Sequence, residues 1–459
     1  MTTEHQDSGS NHPRPGDVRY ILDCIADSEC CSVVGMSNVG KSDLLRLLVD
    51  PTVVHTHPGL QGDEHVFVYV DFNHMLGMTE QGFYELILRS LLDSLQCMEG
   101  LDSLLDQLRD GYSNLVQPAS DFQVPLSFSH SLAAINDGLG RHLILLFDEF
   151  DEPLSTLDDQ IFLNLRALKD RYARTVTYVT ATNQRLTEIR SKRAVGEFNE
   201  LFAHQTRVLQ PFDDADARAF ISGFAGKEKV TFSENDVAFI LRWAGGHVSL
   251  LEGVCRVLGA VTGEPVRDSS QEWLIHREVT TQLQRDSNLR SECVKIWADL
   301  TQRERDGLLA LFAPGDAPSP EELLALRSKG VIDGSEEEPG VFCRLFAEFV
   351  QREHVARRPG QQGVWVDVDA GDVYVNGRKT PVLTDLEFRL LLLLYGRLNK
   401  ICDKYKIVEA VWGEDYIDEV DDARVDKLLS RLRAKLEPVG DTPQYLLTVR
   451  GRGYKLVSG

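Results

Sequence analysis

Gly35-Met36-Ser37-Asn38-Val39-Gly40-Lys41-Ser42 restricts the fold of this chain more than any other stretch. Two glycines bracket four residues, and a Lys-Ser pair follows at once. A short apolar run, Ser32-Val33-Val34, precedes the stretch, and the amphipathic Asp43-Leu44-Leu45-Arg46-Leu47-Leu48 follows it. This is the pattern G-x-x-x-x-G-K-[ST] set between a strand and a helix. Glycine at the two ends lets the backbone curl around a polyphosphate that side chains would keep away. The loop amides and the next helix N-terminus then point at the anion. Lys41 is suited to neutralise β- and γ-phosphates, and Ser42 to offer its hydroxyl to Mg²⁺. Nucleotide contacts are therefore expected from Gly35, Ser37, Asn38, Val39, Gly40, Lys41, Ser42 and Asp43.

Such a loop needs a sheet behind it. From about Val18 to Pro211 the sequence alternates apolar strands with amphipathic helices, as a parallel sheet covered on both faces requires. Candidate strands are Cys31–Val34, Val66–Phe72, Leu143–Phe147 and Thr175–Ala181. Candidate helices are Gln81–Gln96, Leu101–Leu108, Leu126–Gly138 and Asp158–Arg174. Leu143-Ile144-Leu145-Leu146-Phe147 ends in Asp148-Glu149, which puts two carboxylates at the C-terminal end of a buried strand, where ligands of such sheets sit. Asp148 is placed to hold Mg²⁺ and Glu149 to polarise an attacking water. A further strand ends in Thr182-Asn183. Those polar residues either reach the γ-phosphate and the water or cap a turn, and the sequence leaves both open.

Composition bounds the class. The 459 residues suit about three domains. No apolar run approaches the ~18 residues that cross a bilayer, and the polar stretch from Met1 to Asp17 lacks the apolar core of a signal peptide, so a loose arm and a cytoplasmic protein without membrane contact are expected. The eight cysteines, Cys24, Cys30, Cys31, Cys97, Cys255, Cys293, Cys343 and Cys402, form no C-x-x-C pair, which speaks for a reducing compartment and against structural zinc. The net charge is −22, but from Val364 onward 15 Lys/Arg face 16 Asp/Glu. The acidic excess lies upstream, and it discourages nonspecific nucleic-acid binding there.

The glycine loop, the Asp-Glu strand and the polar-tipped strand in this order resemble the AAA+ superfamily of P-loop ATPases, and within it the STAND branch of signalling ATPases. Three short helices follow Pro211-Phe212, at Asp214–Gly226, Ser233–Trp243 and Leu250–Leu258, like a helical lid. Trp243-Ala244-Gly245-Gly246-His247-Val248 resembles the STAND motif Gly-x-Pro with His247 at x. The resemblance implies a nucleotide contact for His247, and a helix-start histidine satisfied by backbone is the other reading. Val248 stands where the family has Pro, and no Arg occupies the second-sensor position of replication-initiator relatives. Arg185, Arg190, Arg193 and Arg207 are all open as a trans-acting arginine. From about Asp268 to Arg358, helices near Leu289–Asp299, after Thr301 and at Pro320–Lys329 lead into a turn at Ser335–Gly340, which reads as a winged helix. Its acids Glu321, Glu322, Glu336, Glu337 and Glu338 would repel phosphates, so a structural role is expected from the charges, and the resemblance implies a regulatory one. In STAND relatives the equivalent module locks the nucleotide-bound core.

Arg357-Arg358-Pro359-Gly360-Gln361-Gln362-Gly363 is a linker by composition. Beyond it lie an alternating strand pair around Asn376-Gly377, a helix capped by Thr384 with Glu387 three residues on, helices at Cys402–Val411 and Asp421–Leu436, and strands Tyr445–Val449 and Tyr454–Val457 flanking Arg450-Gly451-Arg452-Gly453. The patterns Leu383-Thr384-x-x-Glu387-Phe388-x-Leu390-Leu391, Val411-Trp412-Gly413, Arg424-Val425-Asp426 and Thr448-Val449-Arg450-Gly451-Arg452-Gly453-Tyr454-Lys455 resemble the OmpR/PhoB-type winged helix-turn-helix, whose members read the major groove with the third helix and reach the minor groove with the wing. The residues agree independently. At ~100° per residue, Val425, Leu428, Leu429, Leu432 and Leu436 share one side of the third helix. Arg424, Lys427, Arg431 and Lys435 form a second, single-sign stripe suited to phosphates and base edges. Arg450 and Arg452 suit a narrow minor groove.

The expected order is thus an arm (1–17), an α/β P-loop NTPase core with helices on both faces of a parallel sheet (18–211), a helical lid (212–267), a regulatory winged helix (268–358), a linker (359–363) and an OmpR/PhoB-like winged helix (364–459). The expected function is an ATP/ADP-dependent, Mg²⁺-using switch. It would be a slow ATPase and a nucleotide-dependent homo-oligomer, and would regulate transcription through double-stranded DNA. The alternatives are a signalling or defence ATPase whose last domain binds a protein partner, and an ATPase of replication or transposition.

Overall fold

The computed structural model describes residues 12–60, 62, 64–120, 122–191, 193–261, 269–312, 317–335, 338–355, 363–367, 372–375, 378–381, 383–412, 422–437, 444–449 and 452–457. They fall into two compact units, Met1–Phe349 and Val350–Gly459.

The first unit is built on a five-stranded parallel sheet. Its strands are β1 (Cys31–Val34), β2 (His65–Asp71), β3 (His142–Asp148), β4 (Val176–Thr182) and β5 (Thr206–Val208), in the order β2-β3-β4-β1-β5. β1 and β4 are buried along their whole length and β3 nearly so. Both faces are covered, which is why β3 reads as a continuous apolar run. The short edge strand β5 lay outside the expected set. The strand order decides the site. β4 pairs with β1 on one side and with β3 on the other, so the residue after β4 lies between the glycine loop and the paired acids.

Two expectations shift. The helix expected to end at Leu108 runs from Asp102 to Val116. Gly111 does not stop it, because the glycine gives room to a neighbouring helix: a Cβ there would lie 2.3 Å from Ser131 Oγ. Residues 15–17, expected in a loose arm over 1–17, are helical instead. Pro15 opens a helix, Pro15–Ala26, as proline does at a first helical position. Arg14 before it is 7% exposed and donates to Val39 O at 2.8 Å and Gln210 O at 2.7 Å. Its guanidinium lies 4.4 Å above the Phe212 ring.

Three helices, Asp214–Glu228, Glu234–Ala244 and Val248–Val261, follow the sheet. Gly246 meets the segment after β5 so closely that a Cβ would lie 1.9 Å from Phe212 O. Helices Ser269–Leu283, Ser287–Ala298, Gln302–Ala310 and Pro320–Ser328 come next, then the hairpin β6 (Ile332–Gly334) and β7 (Pro339–Val341). Capping boxes open two of these helices, at Thr301/Glu304 and Ser319/Glu322. Gly330, at φ 71°, abuts Pro211. The chain at Pro211-Phe212 therefore touches both the three-helix segment and the turn after the helix Pro320–Ser328.

The second unit opens with an antiparallel sheet of β8 (Val364–Asp367), β9 (Asp372–Val375) and β10 (Arg378–Lys379). The expected turn at Asn376-Gly377 lies outside the described residues. Helices Asp385–Tyr395, Lys404–Trp412 and Asp422–Leu436 follow, then the hairpin β11 (Leu446–Val449) and β12 (Gly453–Leu456). Val425, Leu428, Leu429, Leu432 and Leu436 are all buried in its core.

Candidate nucleotide site and nucleic-acid interface

The loop between β1 and the helix Lys41–Leu47 puts two residues in left-handed backbone, Asn38 at φ 57° and Gly40 at φ 108°. Asn tolerates that region and glycine enters it freely. Gly35 is required by contact: a Cβ would lie 2.9 Å from Leu209 O. Lys41 is 5% exposed. Its ammonium donates to Gly35 O at 2.9 Å, Met36 O at 3.1 Å and Asn183 Oδ1 at 2.6 Å. Burial lowers its pKa, and the charges of Asp151, Asp299, Glu149 and Asp148 oppose that shift. Asn183 is thus brought onto the loop lysine, as the strand order dictates.

Asp148 ends β3 and is 1% exposed. Its Oδ2 accepts the Tyr69 hydroxyl at 2.5 Å and its Oδ1 accepts the Glu149 N–H at 3.1 Å. Glu149 adopts left-handed backbone at φ 55°, which costs a non-glycine residue about 1–3 kcal/mol and is concentrated at functional sites. Burial raises its pKa, with Lys41 pulling the other way. Ser42, Asp43, Asp71, Asn73, Asp148 and Glu149 are among the residues lining a cleft of ≈ 290 Å³ beside Gly40 and Lys41. The lining is rich in oxygen donors, the set a hard cation takes. Among the described residues no cluster of three or more His, Cys, Asp or Glu is placed to hold a metal alone. Mg²⁺ ordinarily takes one or two protein ligands and completes its shell from phosphates and water, so Ser42 and Asp148 fit it.

His247 is fully buried just before the helix Val248–Val261. Its Nε2 lies 2.9 Å from Ser37 O, and its pKa is lowered to about 4, chiefly by burial. The neutral ring donates through Nε2 to that carbonyl, so the residue holds the loop backbone. Its Nδ1 is buried without a partner among the described residues. Of the arginines open as a trans-acting group, Arg190 is tied to Asp159 and to Leu154 O, and Arg207 to Asp17 at 2.6 Å.

In the second unit Arg424, Lys427 and Arg431 are exposed on the helix Asp422–Leu436. Lys435 is a correction to the expected stripe. Its ammonium donates to Glu387 Oε2 at 2.6 Å, and that carboxylate is buried. Glu387 also accepts the Thr384 N–H, so Lys435 ties the third helix to the first. Arg433 turns inward to Leu446 O at 3.1 Å and Thr448 Oγ1 at 3.0 Å. Arg452 is exposed beside β12. Arg450 lies outside the described residues.

The family "Transcriptional regulatory protein, C terminal" matches residues 378–456. This stretch is an OmpR/PhoB-type domain. A probable transcriptional regulator of Porphyridium aerugineum, ycf27, is 40% identical over 89 residues, which are 19% of this chain and 37% of the relative. The chain thus spans little more than a third of that relative's length. Among solved structures, the DNA-binding domain of RstA from Klebsiella pneumoniae, in complex with the RstA box, is similar at 27% identity, covering 22% of this chain and 96% of that one with a TM-score of 0.19. A Walker-type ATPase of Pyrococcus abyssi is similar at 13% identity, covering 74% of this chain and 95% of that one with a TM-score of 0.46. The parallel sheet, with the glycine loop after β1 and the acids ending β3, gives the first unit a P-loop ATPase fold.

Five residues at the P-loop site escape sequence reasoning. Tyr69 lies inside β2, two residues before the cleft-lining Asp71, and alternation along that strand was the only signal for it. Asp151 accepts the Asn183 N–H at 2.9 Å and follows Asp148-Glu149 by two residues. Arg14, Glu292 and Asp299 come from distant segments, and nothing local marks them.

Proposed function

We propose that this chain is an ATP/ADP-dependent switch of STAND type that regulates transcription through its OmpR/PhoB-type domain. The observation that carries the reading is the union, in one chain, of a P-loop lysine surrounded by Asn183 and four carboxylates and of a helix exposing Arg424, Lys427 and Arg431. Lys41 and the loop amides bind the phosphates. Ser42 and Asp148 would hold Mg²⁺, which would supply charge neutralisation at the phosphates. Glu149, half-buried and raised in pKa, orients and deprotonates a water. Asn183 and Asp151 position Lys41, and Tyr69 fixes the Asp148 carboxylate. Nucleotide exchange controls self-association, and several output domains then meet repeated sites in duplex DNA, where linkage raises affinity without new contacts. Among the described residues no helix is long and apolar enough to cross a membrane.

The test is selection from random duplex pools by mobility shift, with ADP and with a non-hydrolysable ATP analogue. Enrichment of a repeated sequence, stronger with the analogue, is the expected result. Absence of any shift would favour a protein-binding output domain, and analogue-dependent coating without selection would favour a DNA-remodelling ATPase.

A further inference from the structure

We propose that Asp299 is a specificity-determining residue of the nucleotide site: its carboxylate contests the terminal phosphate, so the loop takes a diphosphate with Asp299 seated and a triphosphate only once Asp299 has left. The inference deepens the switch reading and rests on it.

Asp299 caps the C-terminus of the helix Ser287–Ala298. A helix C-terminus carries partial negative charge, so a carboxylate there is held against its own helix. It is nonetheless 8% exposed, and its Oδ2 accepts the Ser37 N–H at 2.5 Å. Burial raises its pKa, and the Ser37 backbone and hydroxyl, Lys41 and Lys329 work in the opposite direction. Its backbone carbonyl is bound by Gln184 and Lys329, each at 3.4 Å. A loop amide of an anion-binding turn is thus occupied by an anion from the winged helix.

Glu292 repeats the arrangement. It lies seven residues earlier, on the same face of the helix, and its Oε2 accepts Asn38 Nδ2 at 2.6 Å. Two acids from one helix therefore grip successive residues of the glycine loop. Lys41, the group that reaches β- and γ-phosphates in this motif, has Asp299 among its main counter-charges, second only to Asp151. A γ-phosphate brought to Lys41 meets the Asp299 carboxylate as a like charge, while a diphosphate leaves that position to it. Release of Asp299 and Glu292 frees the helix Ser287–Ala298 from the loop. His247 holds Ser37 O independently, so the lid stays.

The experiment titrates full-length protein with ADP and with adenosine 5′-(β,γ-imido)triphosphate, both with Mg²⁺, for the wild type, Asp299→Asn and Glu292→Gln. The amide that replaces the Asp299 carboxylate keeps an acceptor for the Ser37 N–H and loses the charge. The expected result is a rise of about tenfold in triphosphate-over-diphosphate preference for D299N, the size of one charge-assisted hydrogen bond, and a smaller rise for E292Q. In the wild type, amide exchange over Ser287–Asp299 should accelerate with the triphosphate analogue and not with ADP, which tests the idea without any variant. An unchanged preference in both variants, or equal exchange with both nucleotides, overturns the role of Asp299 alone. Failure of the wild type to bind either nucleotide overturns it together with the switch reading.

Discussion

The two candidate surfaces of this molecule are built in opposite ways. At the glycine loop the central groups are buried and engaged: Lys41, Asp148 and His247 are 5%, 1% and 0% exposed. On the helix Asp422–Leu436, Arg424, Lys427 and Arg431 face outward while the other side of the helix fills a core. The first surface draws on six or more segments of chain, the second largely on one. Buried charges act through a weakly screening medium, so each lost contact is costly and insensitive to salt. Exposed charges are screened over about 10 Å at 0.1 M salt, so their effects should be smaller and salt-dependent.

The largest expected effect belongs to Glu149. Its left-handed backbone and raised pKa suit a positioned base, and loss of such a base costs on the order of 10²-fold or more in rate. Phosphate release by Glu149→Gln should fall at least that far while nucleotide affinity, measured by titration, stays within about threefold of wild type. Equal rates would remove Glu149 from the role.

A second prediction tests the burial itself. His247 has a pKa of about 4 in the fold against an ordinary 6.5. Between those values the unfolded chain binds a proton that the folded chain does not, so stability is full above about pH 6.5 and is lost as pH falls toward 4. The loss from this one group at pH 5 is about 2 kcal/mol. His247→Gln keeps an N–H donor for Ser37 O and removes the titration. The stability difference between pH 7 and pH 5, from urea unfolding, should therefore shrink by about 2 kcal/mol in the variant. An undiminished difference would mean that His247 is not held neutral, and the contrast between the two surfaces would weaken.

That contrast also explains what was legible in the sequence. The glycine loop, the strand ending in Asp148-Glu149 and the apolar side of the third helix are local patterns of fixed period, and the structure has the loop, strand and helix at those positions. The stripe of Arg424, Lys427 and Arg431 follows from the same 3.6-residue period. Asn183 needed the strand order, which places β4 between β1 and β3. Glu292 and Asp299 needed later segments to fold back onto the loop, with close approaches at Gly246 and Gly330, and Arg14 needed the start of the first helix to pack against the loop and Phe212. Period does not encode such returns, because they depend on which distant backbone a glycine admits. Lys435 failed for a related reason: it sits on the basic stripe, yet a buried carboxylate two helices earlier claims it.

Lys435 and Arg431, four residues apart on one helix, give the finest test of the comparison. Lys435→Ala leaves Glu387 buried beside Thr384 without its ammonium, which should cost the second unit about 1–3 kcal/mol of stability. Its effect on the salt dependence of DNA binding should be negligible. Arg431 is exposed and has no ion-pair partner among the described residues, so Arg431→Ala should leave the unfolding midpoint unchanged. If Arg431 meets a phosphate, its loss lowers the slope of log affinity against log salt by about one unit and weakens all duplexes alike. If it meets a base edge, the loss falls on one position of the selected site and the slope stays. Denaturation of both variants and salt titrations on the selected duplex separate these outcomes. A variant of Arg431 that lost stability and kept its DNA affinity would place that side chain with the engaged groups of the core instead of on an open binding face.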